Sequence, residues 1–276
     1  MHGAVQLGYP EIMSPSPSTR HDGVGGLFDL SSRWRSDIIS DFRLRSEERC
    51  AAASPGPGFP QFLDTMLDAL ADSPPGPWID VGGGLGGVGS WLNRRSGRPI
   101  VLVDSSPSAV VAASSLFPEL DVVTGSGAAL PLVDSGAGAV ILSGVISLHA
   151  DITSLLGEAH RVLSVGGMVT VSDLWSATDR PVIRPPNTFW SLEEVRDRCG
   201  PLGLDMHSVA ACETSVGWWS AADDQVHDEM RRRHGDHPVF ERYEADRRHI
   251  QAAVGTGQLI AASITFVRAD IIDQEL

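Results

Sequence analysis

The sequence contains no lysine: all 21 basic residues among its 276 are arginine. This excludes Schiff-base chemistry and any lysine general base, both of which need a side-chain primary amine. It also reads as GC-rich codon usage. Basic residues are outnumbered by 35 acids, for a net charge of -14. Non-specific binding to a phosphate backbone depends on clustered Lys and Arg, so DNA, RNA and anionic membranes are not expected partners. Cysteine is scarce, and Cys50, Cys199 and Cys212 stand alone with no CxxC pair for a redox motif or zinc knuckle. No N-terminal charged-then-apolar stretch reads as an export signal, and the longest apolar run, 137–148, is too short and too polar to span a bilayer. A cytoplasmic protein in a reducing compartment is expected.

What is present reads as one large α/β domain with appendages. Residues 1–26 mix Pro, Ser and Gly without periodicity and read as a flexible tail. In 27–55, Leu27, Phe28, Leu30, Trp34, Ile38, Ile39 and Phe42 recur at three- and four-residue steps, giving one amphipathic helix or two short ones placed as a lid or dimerisation segment. After the SPGPG linker, residues 56–276 alternate short apolar runs with helical stretches: WIDV, IVLVD, DVVTG, GAVILSG and MVTVSD, with late runs near Val209 and from Leu259 to Val267. This βαβ series predicts a doubly wound, mostly parallel seven-stranded sheet. A helix capped by Asp151 is expected to run to Gly166-Gly167, and another to start at Ser191. Residues 215–255 read as a helical lid insertion, with Phe240, Tyr243, Ile250 and Val254 on one stripe.

The most informative stretch is WIDVGGGLGGVGSWL from Trp78, where a strand ends in glycines and passes straight into a helix. Glycines there permit a tight turn and let backbone amides and a helix N-terminus approach a ligand. Such a loop also fits a ligand-free turn, so the flanking acids carry the distinction. Asp104, ending the next strand, can accept both ribose hydroxyls of a dinucleotide or of an adenosyl ligand. Asp80, two residues before the first glycine, repels a pyrophosphate but can pair, directly or through water, with a methionine ammonium. It favours S-adenosylmethionine over NAD.

These residues resemble the class I, Rossmann-like S-adenosylmethionine-dependent methyltransferases, whose first motif is an acid followed by GxGxG. The resemblance runs closely over 77–173 and includes VLVD, GSGAALPL, HADI and EAHRVLSVGGMVTVSD. It implies that Asp80, Gly82, Gly84 and Gly86 line the methionine end and Asp104 with Ser105 the ribose. Ser126, Gly127 and Ala128 would flank the adenine, with Ser143 completing the cofactor set. The sequence departs from the family where Ser126 and Gly138 stand in place of common acids. The implied activity is methyl transfer to a small, secondary-metabolite acceptor, leaving S-adenosylhomocysteine.

In-line transfer from a sulfonium needs alignment, water exclusion and, for some acceptors, removal of a proton. His149, just past the fourth strand, is the preferred base, with a helix-capping role as its bland alternative. Asp173, ending the fifth, is the second candidate, either as base or as orienting acceptor for the substrate, with capping of the loop through Leu174 and Trp175 as its alternative. Trp34, Trp175 and Trp218 are candidates for stacking a planar substrate, set against ordinary core packing. His227, His234 and His237 accompany Arg231, Arg232 and Arg233, whose charge opposes a cation, so no metal is expected. The segment after the fourth strand reads LSGVISLH and lacks the Asn/Asp-Pro-Pro-aromatic signature of nucleic-acid amino methyltransferases, and the only Pro-Pro-Asn, Pro185 to Asn187, lies after the fifth strand. Two alternatives stand beside the methyltransferase. One is an adenosyl-binding protein without turnover. The other is an NAD-dependent oxidoreductase, which the absence of any Tyr-xxx-Lys pair disfavours. A homodimer built by exchange of 27–55 is a further expectation.

Overall fold

The computed structural model describes residues 24–55, 61–149, 151–212 and 220–269. The tail expected at 1–26 lies outside these residues up to 23, and helix α1 (Val24–Asp41) occupies its last three. The remaining helices are α2 (Ser46–Ala52), α3 (Gln61–Ala69), α4 (Gly87–Ser96), α5 (Pro107–Leu116), α6 (Ile152–Val162), α7 (Leu192–Cys199), α8 (Ala221–His234) and α9 (Pro238–Gly255). The strands are β1 (Trp78–Val81), β2 (Ile100–Asp104), β3 (Asp121–Thr124), β4 (Ala137–Ser143), β5 (Leu163–Ser176), β6 (Val182–Arg184), β7 (Asn187–Phe189), β8 (Leu204–Cys212) and β9 (Leu259–Arg268).

Seven strands form one sheet in the order β3-β2-β1-β4-β5-β9-β8. The first five are parallel, whereas β9 runs antiparallel to both β5 and β8. This is the doubly wound, mostly parallel seven-stranded sheet expected from the sequence. Strand β1 is buried at every position, as a central strand covered on both faces must be. The alternate residues Trp78, Ile100, Leu102 and Ile141 face one core, with α3, α4 and α5, while Ile79, Val101, Val140 and Val169 face the other, with α6. The order reverses between β1 and β4, so the crevice for a ligand opens beyond their carboxyl ends.

Two boundaries differ from expectation. Helix α6 stops at Val162, four residues before the paired glycines, because Leu163 already pairs with Ala137 and starts a long β5. A two-stranded ribbon, β6–β7, follows β5 and was not foreseen; Pro185-Pro186, joined by a cis bond, makes its turn.

The appendages are fastened to the domain by buried polar contacts. Arg35 of α1, 3 % exposed, donates to Asp223 Oδ1 of α8 at 2.6 Å, to Ala52 O at 2.9 Å and to the Tyr243 hydroxyl of α9 at 3.1 Å. Arg247 of α9 donates to the other oxygen of Asp223 at 2.9 Å. One carboxylate thus joins α1, α8 and α9. The end of α2 lies hard against the start of α4: a Cβ on Gly87 would stand 2.3 Å from Cys50 O, so only glycine permits this approach. Among the described residues no helix is long and apolar enough to cross a membrane.

Candidate active site

The loop after β1 needs its glycines. Gly82, Gly84 and Gly86 have φ of 67°, 55° and 85°, left-handed values that strain any other residue. A Cβ on Gly82 would also strike Val145 at 2.7 Å, whereas nothing lies within 4 Å of the same position on Gly84. Bare backbone therefore meets open space at Gly84. Helix α4 begins at Gly86 without a side-chain cap, so its start favours a partner of negative charge or an acceptor atom.

Asp104 ties this loop to the next. Its Oδ2 accepts from Gly84 N at 2.9 Å and its Oδ1 from Ser106 N at 2.8 Å. Each oxygen keeps a further lone pair, and the residue is half-buried, so it can still accept from a ribose. Ser105 beside it is exposed. At the rim, Ser106 and Ser108 donate to Asp29 of α1, so the N-terminal helix is anchored directly on the edge of the crevice. Asp29 was not singled out from sequence, since an acid in a helical stripe carries no signal of its tertiary partner.

After β3, Ser126 is exposed and its hydroxyl accepts from Ala128 N at 3.2 Å, forming a small turn closed by Ala129 N to Ser126 O. Gly127 folds back so that its Cβ position would meet Leu155 at 2.7 Å and Val81 at 3.0 Å, placing this turn beside the end of β1. Ser143 is half-buried at the end of β4, paired with Ser172. The expected cofactor residues thus share one edge of the sheet. Three left-handed glycines, an uncapped helix start and the Asp104 carboxylate fit an adenosyl ligand there.

Asp80 requires a correction. It is 1 % exposed and lies beneath the loop, where Cβ atoms on Gly83 and Gly89 would fall 2.7 and 2.9 Å from its Oδ2. It does not reach the crevice surface, so its influence on a ligand passes through the loop backbone. Neither oxygen makes a hydrogen bond of ordinary geometry among the described residues. Burial, reinforced by the charge of Asp104, pushes the carboxyl up to about 7, and the Gly89 amide only moderates this. A folded-state value above the unfolded one, about 3.9, means that ionisation opposes folding. Stability should therefore fall as pH rises from about 4 to about 7 and then level off. Asp173, pushed up to about 6 by burial, adds in the same direction. Asp80→Asn is expected to remove most of the decline and to be more stable than the parent at pH 8 by about 2–4 kcal/mol in urea titrations. Equal stability of the two proteins at pH 8 would show that the carboxyl finds a partner.

The catalytic candidates separate. Asp173 is 8 % exposed, accepting from Ser147 N at 3.1 Å with Oδ2 and from Leu174 N at 2.7 Å with Oδ1. It clamps the 3-10 turn Ile146–Leu148 onto β5, which corrects its reading as an open base. His149 leaves that turn half-buried, with burial lowering its pKa against the opposing charge of Asp151. It is therefore neutral near pH 7 and able to take a proton. Asp151 itself caps α6 through Thr153 N and Ser154 N. Asn187 of β7 reaches the same turn, its Nδ2 lying 3.4 Å from Ser147 Oγ. Ser147 was not marked by the sequence, and Asn187 only as the end of a Pro-Pro-Asn run set aside for lying after the fifth strand.

The tryptophans also resolve. Trp175 is fully buried and donates from Nε1 to Ala262 O at 2.8 Å, within the core shared with α6 and α7. It packs the sheet and offers no face to a substrate. Trp34 stacks on His234 at 4.2 Å and meets His237 edge-on at 5.1 Å, so it joins α1 to the α8–α9 turn. Trp218 lies outside the described residues. Among the described residues no group of three His, Cys, Asp or Glu is placed to hold a metal.

Comparison with known proteins bears on this edge of the sheet. A family described as a methyltransferase domain matches residues 79–171, which begin in β1 and end in β5. The chain is 31 % identical over 115 residues to the ubiquinone/menaquinone biosynthesis C-methyltransferase of Cereibacter sphaeroides, covering 39 % of this chain and 46 % of that protein. It thus spans about half the length of that relative. An uncharacterized methyltransferase of Synechocystis is 28 % identical over 156 residues, covering 55 % of this chain and 72 % of the other. Among solved structures, the [4+2]-cyclase SpnF superposes with a TM-score of 0.65 at 18 % identity, covering 89 % of this chain and 96 % of SpnF. The Haemonchus contortus phosphoethanolamine N-methyltransferase 2, solved with phosphomonomethylethanolamine and S-adenosylhomocysteine, does so with 0.63 at 13 % identity, covering 88 % and 58 %. These likenesses establish the fold. Residues 79–171 thus match a methyltransferase-domain family and lie in a sheet of the Rossmann-like, class I methyltransferase fold.

Proposed function

We propose that this chain is an S-adenosylmethionine-dependent methyltransferase acting on a small-molecule acceptor of secondary metabolism. The observation that carries this reading is Asp104 bridging Gly84 N and Ser106 N at the switch point of the matched domain. When bound, S-adenosylmethionine would supply an electrophilic methyl on its sulfonium: an acceptor lone pair would bond to the methyl carbon in line as the carbon–sulfur bond breaks, with S-adenosylhomocysteine leaving with the electron pair. The protein's own part is positional. The glycine loop and Asp104 hold the adenosyl ligand at the ends of β1 and β2, and the turn clamped by Asp173 presents His149 from the end of β4. His149 takes the acceptor proton where there is one to remove. Helix α1, fixed to the rim through Asp29, screens the crevice from water. The net charge of -14 supports a small acceptor over nucleic acid.

The second reading is a protein that binds the adenosyl ligand without transferring its methyl; it is kept because this fold is shared by a protein described as a [4+2]-cyclase, SpnF. Titration calorimetry with S-adenosylmethionine, S-adenosylhomocysteine and NADH, followed by transfer of radiolabelled methyl to a panel of phenols, amines and carboxylic acids, separates the readings. Micromolar binding of the two sulfur ligands with labelled product supports methyl transfer. Binding without label in any acceptor supports the non-transferring alternative, and binding of NADH alone overturns both.

A further inference from the structure

The β6–β7 ribbon crosses the carboxyl edge of the sheet beside β4 and β5, and its two faces differ sharply. Val182 pairs with Phe189, Ile183 with Thr188 and Arg184 with Asn187. Side chains alternate along a strand and directly paired residues share a face, so Val182, Arg184, Asn187 and Phe189 lie on one side and Ile183 and Thr188 on the other. The first side is the inner one. Phe189 is 2 % exposed, Val182 packs against the same core, and Asn187 reaches Ser147 on the clamped turn, whereas Ile183 is 68 % exposed on the outer side.

Arg184 is therefore on the inner face, at the tip, next to the residue that touches the His149 turn. Paired residues have Cβ atoms about 5 Å apart, and an arginine side chain is long enough to cover that separation again. Its guanidinium makes no hydrogen bond or ion pair among the described residues and is exposed. Among the described residues most other arginines end on acids or carbonyls, as Arg161 does on Glu158 and Asp134, or Arg94 on Glu119. The tip is also held stiffly, because two consecutive prolines fix φ at both central positions of the turn. None of the acids around the crevice, Asp104 at its edge or the buried Asp80 and Asp173, pairs with Arg184 among the described residues.

We propose that Arg184 binds an anionic group, a carboxylate or phosphate, on the methyl acceptor and so selects acidic small molecules. This rests on the methyltransferase reading above. A forked guanidinium matches both anions in geometry and charge. Its place on the ribbon tip, beside the turn that His149 leaves, lets an anion held there turn the acceptor's reacting atom toward His149.

The test uses the full chain saturated with S-adenosylhomocysteine, whose own binding is measured first. Benzoate, inorganic phosphate and the neutral isostere benzamide are then titrated in. Benzoate and phosphate should bind, and benzoate at least about tenfold more tightly than benzamide, the value of one charge-assisted contact. Arg184→Gln should abolish that preference, Arg184→Lys should keep part of it, and Arg242→Gln, which removes an exposed arginine of α9, should leave it intact. All three variants should bind S-adenosylhomocysteine as the parent does. Failure of the parent to bind S-adenosylhomocysteine would remove the methyltransferase reading itself. Normal S-adenosylhomocysteine binding with no anion binding, or with a preference unchanged in Arg184→Gln, would overturn the assignment of Arg184 alone.

Discussion

Asp223→Ala is expected to destabilise the protein by about 3–5 kcal/mol, the cost of leaving buried charges without their partner. Asp223 is 1 % exposed and both its oxygens are engaged, by Arg35 at 2.6 Å and Arg247 at 2.9 Å. Removing it strands two guanidiniums that are themselves 3 % and 8 % exposed. Arg35 would retain Ala52 O and the Tyr243 hydroxyl, and Arg247 would retain Asp224, so neither could easily swing to solvent. Because the carboxylate joins α1, α8 and α9, the loss should loosen these three helices together. Limited proteolysis should cut near the α8–α9 turn before the sheet unfolds. Urea titration gives the magnitude, and Asp223→Asn, which keeps an acceptor but no charge, should fall between the two. A loss below about 1 kcal/mol in the alanine variant would mean that apolar packing alone docks these helices.

Asp104→Ala is expected to weaken S-adenosylmethionine binding at least about a hundredfold. Two charge-assisted hydrogen bonds from backbone amides disappear, each worth roughly 1.5–3 kcal/mol, and a prospective acceptor for the ribose goes with them. The glycine loop then loses its tie to the loop after β2, since Gly84 N and Ser106 N share this one side chain. Asp104→Asn keeps one oxygen and should cost about tenfold, because its amide can satisfy only one of the two donors. Calorimetry on both variants, with melting curves to confirm folding, measures this. Unchanged binding in Asp104→Ala would place the adenosyl ligand elsewhere.

The two experiments address features of different legibility. Asp104 stood out because a strand, a glycine turn and a helix precede it at a spacing that only a βαβ unit explains. Asp223 did not, because its partners Arg35 and Arg247 lie 188 and 24 residues away and no local pattern links them. Asp80 shows the limit between these cases. Its position at the end of β1 was readable, but whether its side chain turns over or under the loop depends on which face of β1 it occupies. It shares the face of Trp78 and so points beneath Gly83 and Gly89. Its power to reject a pyrophosphate by direct repulsion is correspondingly reduced, and the choice of an adenosyl ligand over a dinucleotide now rests on the matched domain, since Asp104 serves the ribose of either.

Sequence alone determined the sheet, its parallel core and the crevice edge, because strand periodicity, helix caps and left-handed glycines are local properties that each short segment carries with it. Tertiary structure alone decided what faces the crevice. Trp175 alternates with Val169 and Val171 into the core and Trp34 is taken up by His234, while Asp173 turns inward to hold a loop. Asp29 and Asn187 arrive at the rim from distant segments. A side chain's partner is set by packing between elements remote in the chain, and that information is absent from any one of them.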